Sequence, residues 1–117
     1  MPVGPATRIF LAAGATDLRK GFEGLSDLVR HRFQEDPLSG HLFVFVNRHR
    51  TRLKLLYWDG SGLWVCAKRL AQGCFSLPRT TTEEPGALRI VAEELTLLLS
   101  GIDLEKTRAR QWWRQAA

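Results

Sequence analysis

The stretch HLFVFVNRHRTRLKLLYWDGSGLWVCAKRLAQGCFSLP, residues 41–78, decides the fold. Two apolar runs, 42–47 and 53–58, flank a basic elbow, Arg48-His49-Arg50-Thr51-Arg52. Asp59-Gly60-Ser61-Gly62 separates the second run from a third at 63–67, which closes on Lys68-Arg69. Short runs rich in β-branched and aromatic residues, bounded by turn formers, read as strands, and Asp-Gly between two of them is a hairpin signal. The stretch therefore predicts three antiparallel strands joined by tight turns. Registered symmetrically about Gly60-Ser61, the second hairpin places Lys54, Leu56 and Trp58 on one face with Leu63, Val65 and Ala67. Leu53, Leu55 and Tyr57 fall on the other face with Trp64, Cys66 and Lys68. Both faces come out largely apolar. Helices packed on one face would leave the rest to a terminal segment, a second subunit or a partner.

Outward from this meander, residues 7–12 form a short β-rich run after a Pro/Gly lead and predict a first strand. Gly14-Ala15-Thr16-Asp17 turns the chain, with Thr16 or Asp17 as a capping candidate. Phe22, Leu25, Leu28, Val29 and Phe33 make the stripe of an amphipathic helix that ends at Glu35-Asp36-Pro37. Gly24 within it costs helix stability relative to alanine, which predicts close packing against the sheet. On the other side, Ala71-Gln72-Gly73 is a turn, residues 74–77 predict a short final strand stopped by Pro78, and 79–86 is a polar loop. A second helix is expected over 87–99, with Leu88, Val91, Leu95 and Leu98 on one stripe and Gly101 as its C-terminal cap. The expectation is an α+β fold: an antiparallel sheet of about four to five strands in the order β-α-β-β-β-(β)-α, with helices packed on one face. Residues 1–103 would be one domain, followed over 104–117 by a charged tail or short helix carrying Trp112 and Trp113.

A chain of 117 residues can bury a core without disulfides or metal. Its 44% hydrophobic and 25% charged residues argue against wholesale disorder. No apolar run approaches the ~20 residues that span a bilayer, and Met1-Pro2-Val3-Gly4-Pro5 lacks the layout of a signal peptide. A cytoplasmic location away from membranes is expected. Cys66 and Cys74 are too far apart for a CxxC clamp and read as small buried hydrophobes in a reducing compartment. A zinc site would need His31, His41 or His49 to converge on them without the usual ligand spacing. No metal and no cofactor are expected.

Charge points to the partner. Lys and Arg total 17 against 12 acidic residues, a formal +5, which favours a polyanion such as nucleic acid. The candidates for phosphate contact are Arg48, Arg50, Arg52 and Lys54 at the elbow, together with Arg19, Lys20, Lys68 and Arg69. The plain alternative is a solvated turn that blunts edge-to-edge aggregation. Trp58 and Trp64 read first as core, although tryptophan beside cations can also stack on unpaired bases. Trp112-Trp113 in a polar tail fits a protein-partner anchor. Catalytic candidates are thin. Asp17 and Asp59 are the only carboxylates at turn glycines or strand ends, and cap and hairpin roles account for both. Tyr57 has no paired histidines nearby to hold a metal, and no glycine-rich phosphate loop precedes a helix. The site residues point away from an enzyme.

Thr16-Asp17-Leu18-Arg19-Lys20-Gly21-Phe22-Glu23-Gly24-Leu25 resembles the TDMRKGFDGL signature of the TnpB family, the accessory proteins encoded by the second open reading frame of insertion sequence 66 transposons. The likeness continues through Gly40-His41-Leu42-Phe43-Val44-Phe45, Lys54-Leu55-Leu56-Tyr57-Trp58-Asp59-Gly60 and Gly62. It resumes at Ala67-Lys68-Arg69-Leu70, Gly73, Phe75, Pro78, Leu98-Leu99 and Gly101-Ile102-Asp103. The resemblance implies a bacterial transposon protein made beside a separate, much larger transposase that holds the strand-transfer carboxylates. It carries over no catalytic residue. The RNA-guided nucleases that share the name are several times larger, and their nuclease domain has no counterpart here.

The functional expectation is a non-catalytic accessory factor for transposition that binds DNA at element ends or target through phosphates, binds the transposase, or does both, with self-association left open. The alternatives are a pure adaptor of the transposase that never touches DNA, and more distantly a small metal-dependent nuclease using Asp17 and Asp59.

Overall fold

The computed structural model describes residues 6–77 and 87–101. Along the chain these form β1 (Ile9–Ala12), α1 (Phe22–Arg32), β2 (Leu42–Val46), β3 (Arg52–Trp58), β4 (Leu63–Arg69), β5 (Ala87–Ile90) and α2 (Ala92–Leu99). The strands make one five-stranded sheet in the order β4-β3-β2-β1-β5. The α+β class and the run of elements are those expected from the sequence. The meander has the expected register, with Lys54 opposite Ala67, Leu56 opposite Val65 and Trp58 opposite Leu63. The sheet is mixed, because β1 pairs parallel with β2 while every other pairing is antiparallel. The intervening α1 is what makes that parallel pair possible, since a crossover must return the chain to the same end of the sheet.

The central strand explains the core. All five residues of β2, Leu-Phe-Val-Phe-Val, are buried, as befits a strand covered on both faces. Phe43 and Phe45 point to one side and join Phe10, Leu56, Leu25 and Val29 from α1, and Phe33 at its C-cap. Phe33 lies 5.5 Å from Phe45 and 5.8 Å from Phe43, and Phe10 stacks on Phe43 at 5.5 Å. Such pairs add about 0.5–1.5 kcal/mol each beyond their area. Leu42, Val44 and Val46 point the other way and join Ile9, Leu11, Leu53, Leu55, Phe75 and, from α2, Leu95 and Leu98. The helices thus divide between the faces, α1 on one and α2 on the other. Side-chain alternation along β2 requires this, because both sets of its side chains are buried. The apolar surface that the sequence left to a terminal segment, a second subunit or a partner is the surface α2 covers.

Several local expectations change. Residues 74–77 form no strand; Phe75 instead donates its amide to Arg50 O at 2.6 Å and buries its ring. The last strand is β5, which pairs antiparallel with β1 and alternates outward with Ala87 and Arg89 and inward with Leu88 and Ile90. Consequently α2 begins at Ala92, where the amide of Val91 donates to Glu94 Oε1 at 3.1 Å. It ends as expected, with Gly101 at φ +76° past the last turn. The tightest neighbour of Gly24 is not the sheet: a Cβ there would meet Lys20 Cβ at 2.9 Å, in the turn leading into α1. Trp64, read as core, is 56% exposed, and Cys74 is exposed rather than buried. Trp112 and Trp113, with the rest of 104–117, lie outside the described residues, as does the loop 79–86. Among the described residues no helix is long and apolar enough to cross a membrane.

Candidate nucleic-acid interface

The elbow is a hairpin turn organised by one side chain. Asn47 Oδ1 accepts the amides of Thr51 at 2.9 Å and Arg52 at 3.0 Å, and its Nδ2 donates to Thr51 Oγ1 at 3.3 Å. Its backbone adds bonds to Arg52 O and from the Arg50 amide. Arg50 takes a left-handed conformation, φ +58°, which lets the chain reverse. From behind, the amides of Leu70 and Phe75 donate to Thr51 O and Arg50 O. The elbow's cations therefore stand on a backbone fixed on two sides.

A second turn, from the signature segment, lies against it. Thr16 donates its amide to Val46 O at 2.9 Å, which fastens residues 16–19 to the end of β2. Asp17 Oδ1 accepts the Arg19 amide at 3.0 Å, and the Arg19 guanidinium forks back onto the same carboxylate with Nη2 2.8 Å from Oδ2. Those bonds hold the Asp17 carboxyl well below the usual carboxylate range. Asp17 thus caps this turn, which precedes α1, while the N-cap of α1 itself is Gly21, which offers no side chain. Between the turn and the elbow lies an open cleft of about 280 Å³, lined by Asp17 as well as by Arg19, Arg48, His49 and Arg52.

Most of the cations expected to meet phosphate gather at this end of the sheet. Arg19, Arg48 and Arg52 line the cleft, and Arg50 stands at the elbow tip. Lys54 donates Nζ to Lys20 O at 3.0 Å, so those two lie together alongside. Arg69 is directly opposite Arg52 across the β3–β4 ladder. Lys68 is the exception: it points to the other face, where its Nζ caps α2 through Leu99 O. Among the described residues no carboxylate lies within ion-pairing distance of Arg48, Arg50, Arg52 or Arg69. Like charges directly opposite on a ladder oppose folding, so the fold gains nothing from the Arg52–Arg69 juxtaposition. Sequence reasoning passed over the roles of Asn47 and Phe75, and took Thr16 only as a capping candidate. An asparagine immediately before a polar elbow was a usable signal for the first; nothing local marked the burial of Phe75.

The acidic candidates are separated and occupied. Asp59 accepts from the amides of Ser61 at 2.8 Å and Gly62 at 2.9 Å, from Ser61 Oγ, and from Trp64 Nε1 at 2.7 Å. These donors, the indole first, hold its carboxyl well below the ordinary range. Asp17 and Asp59 sit near opposite ends of the seven-residue β3, on the order of 20 Å apart at a strand's rise per residue. They share no metal. Among the described residues no group of three or more His, Cys, Asp or Glu could hold one.

Comparison with known proteins decides the family. The profile of the IS66 Orf2-like proteins, the TnpB family of insertion sequence 66, matches residues 7–109. The chain belongs to this family. Two proteins of Sinorhizobium fredii (strain NBRC 101917 / NGR234) are similar to it along most of their lengths. One, "Uncharacterized protein y4hO", is 39% identical over 114 residues, 97% of this chain and 95% of its own. The other, "Uncharacterized protein y4jC", is 36% identical over 110 residues, 92% of each chain. No solved structure matches the chain.

Proposed function

We propose that this protein is a non-catalytic accessory factor for transposition of its insertion element, and that it holds DNA by the phosphate backbone. Membership of the IS66 Orf2-like family supports the transposition role. One observation carries the DNA reading: a set of arginines without carboxylate partners is held on a rigid elbow at one end of the sheet. Arg48, Arg50 and Arg52 are the principal contacts, Arg19, Lys20, Lys54 and Arg69 extend the surface, and Lys68 has a structural task instead. Arginine suits this role because its planar fork meets phosphate oxygens bidentately.

The test is the salt dependence of DNA affinity. Each phosphate contact contributes about −0.9 to the slope of log K against log salt on duplex DNA. Changing Arg48, Arg50 and Arg52 together to alanine should reduce that slope by about two to three phosphate equivalents and leave the fold intact. An unchanged slope excludes the elbow as the contact. Absence of DNA binding at low salt would favour a pure adaptor of the transposase, a reading that the exposed Trp64 independently supports.

A further inference from the structure

The two edges of the sheet are unequal. β5 offers four residues, whereas β4 offers seven, Leu63–Arg69, none of them buried. The phase of the β3–β4 ladder fixes which backbone groups β4 leaves outside. Asp59 donates its amide to Gly62 O at one end, and Leu70 donates to Thr51 O at the other. Bonded and non-bonded pairs alternate between them in a one-to-one register. Trp64, Cys66 and Lys68 therefore turn their amides and carbonyls toward β3, and Leu63, Val65, Ala67 and Arg69 turn theirs outward. Among the described residues nothing pairs with those four on the outer side. The usual devices that blunt an edge are missing from most of the strand: it holds no proline, no bulge breaks its register, and its charges, Lys68 and Arg69, stand together at one end. Its apolar side chains are only part covered, with Leu63 and Val65 on the α1 face, Cys66 on the α2 face and Trp64 exposed.

We propose that β4 pairs antiparallel with β4 of a second copy of this chain about a two-fold axis at Cys66, joining the two sheets into one. The inference stands on the sheet's geometry and does not depend on the DNA reading. Cys66 is the middle of the strand, so this register uses its whole length. Val65 then faces Ala67 of the second copy, and Leu63 faces its Arg69, as hydrogen-bonded pairs. These are the four residues whose backbone groups point outward, so all of them find partners. Cys66 faces Cys66 and Trp64 faces Lys68 in the non-bonded positions between. Charge selects this occupant. The two-fold sends the Lys68-Arg69 pairs to opposite ends of the joined ladder, each against an aromatic or apolar residue, whereas parallel pairing would set cation beside cation. The chain's own end is a poorer match. Residues 102–117 carry Lys106, Arg108, Arg110 and Arg114 against Asp103 and Glu105, and laid along this edge they would add cations beside Lys68 and Arg69. Trp64 is ready in advance, because its Nε1 donates to Asp59 Oδ2 at 2.7 Å and fixes the exposed ring, so little ordering is needed on association.

The experiment follows the full-length protein, without DNA, by sedimentation velocity over a wide concentration range, and should show a monomer–dimer equilibrium. Ala67→Pro removes an outward amide that β3 does not use, at an exposed side chain. It should keep the far-UV circular dichroism of the parent and weaken dimerisation by about tenfold or more, since the two-fold counts each lost bond twice. Ala67→Thr keeps the amide and should dimerise like the parent. The register has its own readout, which holds even if the proline variant does not fold. Non-bonded antiparallel partners have Cα atoms about 4.5 Å apart, within disulfide reach. Oxidation with diamide should therefore link the parent dimer through Cys66; Cys66→Ser should abolish the link and Cys74→Ser should not. A protein that stays monomeric at every concentration overturns the proposal, and is the result expected if the chain's own end or the transposase takes this edge. A dimer that folded Ala67→Pro leaves intact, or that does not link through Cys66, also overturns it, because the interface then lies elsewhere.

Discussion

The two hairpin turns at the ends of β3 are built on the same device and put to different uses. In each, one short side chain at the end of a strand accepts two backbone amides and so closes the turn. Asn47 does this at the elbow and Asp59 at the tip. At the tip the charge belongs to the device itself, and Ser61 and Trp64 use what remains of the carboxylate. At the elbow a neutral amide does the closing, and the arginines that follow it have no task in the turn. A turn that needs a charge for folding saturates it. Charge left unsaturated on a rigid turn is available to a partner.

The largest effect expected from breaking this comparison comes from Asn47→Ala. It removes the acceptor of two amides and a donor to Thr51, and should destabilise the protein by about 1–2 kcal/mol, a fall of several degrees in Tm. DNA affinity should fall with it, since the arginines lose their fixed platform. If Tm falls and affinity does not, the elbow's rigidity is irrelevant to binding.

Much of this architecture is legible in the residues. The meander and its register follow from alternation around Asp59-Gly60, and the α1 stripe from 3.6-residue spacing. What escaped was set by tertiary context. Ala87–Ile90 is too short, with Ile90 its one β-branched residue, to separate from the helix after it, and only pairing with β1 makes it a strand. Cys74–Leu77 looks like a strand but has no neighbour to pair with; Phe75 is buried for its ring and tied by a single amide to Arg50. The cations were visible as a list, but their grouping was not. Lys68 and Arg69 are adjacent in sequence and face opposite sides of the sheet, which removes Lys68 from the cluster and leaves Arg69 in it. The cleft joins segments about thirty residues apart and has no local signature.

A smaller effect is expected at the tip, from Asp59→Asn. The donors around Asp59 hold its carboxyl below the ordinary aspartate range, so the charged form favours the folded state. That contribution is present above about pH 4, the ordinary aspartate value, and is lost as pH falls from there toward the depressed native value. The variant should therefore show a slightly lower Tm at neutral pH and a shallower fall of Tm on acidification. The fall should not vanish, because Asp17 behaves alike through Arg19. Near-UV circular dichroism should report a less ordered Trp64 ring, and DNA affinity should not change. A variant whose acid limb matches the parent's would show that the Asp59 bonds contribute nothing to folding.

The smallest effect on stability, and the sharpest use of the comparison, comes from giving the elbow the kind of carboxylate that the tip has. Arg69→Glu places an acid directly opposite Arg52 on the ladder, replacing a like-charge pair with an opposite one. Cross-strand pairs of this kind are worth about 0.2–1 kcal/mol, and exposure to solvent keeps the gain at the low end. Tm should rise slightly, and the rise should shrink with added salt. DNA affinity should move the other way, because one cation is lost and a second is drawn into a pair; the salt slope should fall by more than the single contact that Arg69→Ala removes. Stability and binding would thus change in opposite directions at one residue that takes no part in the core. If Arg69→Glu lowered Tm, the two arginines would not be in unfavourable opposition. If it raised Tm without weakening DNA binding, the uncompensated charge at this end of the sheet would not be what holds phosphate.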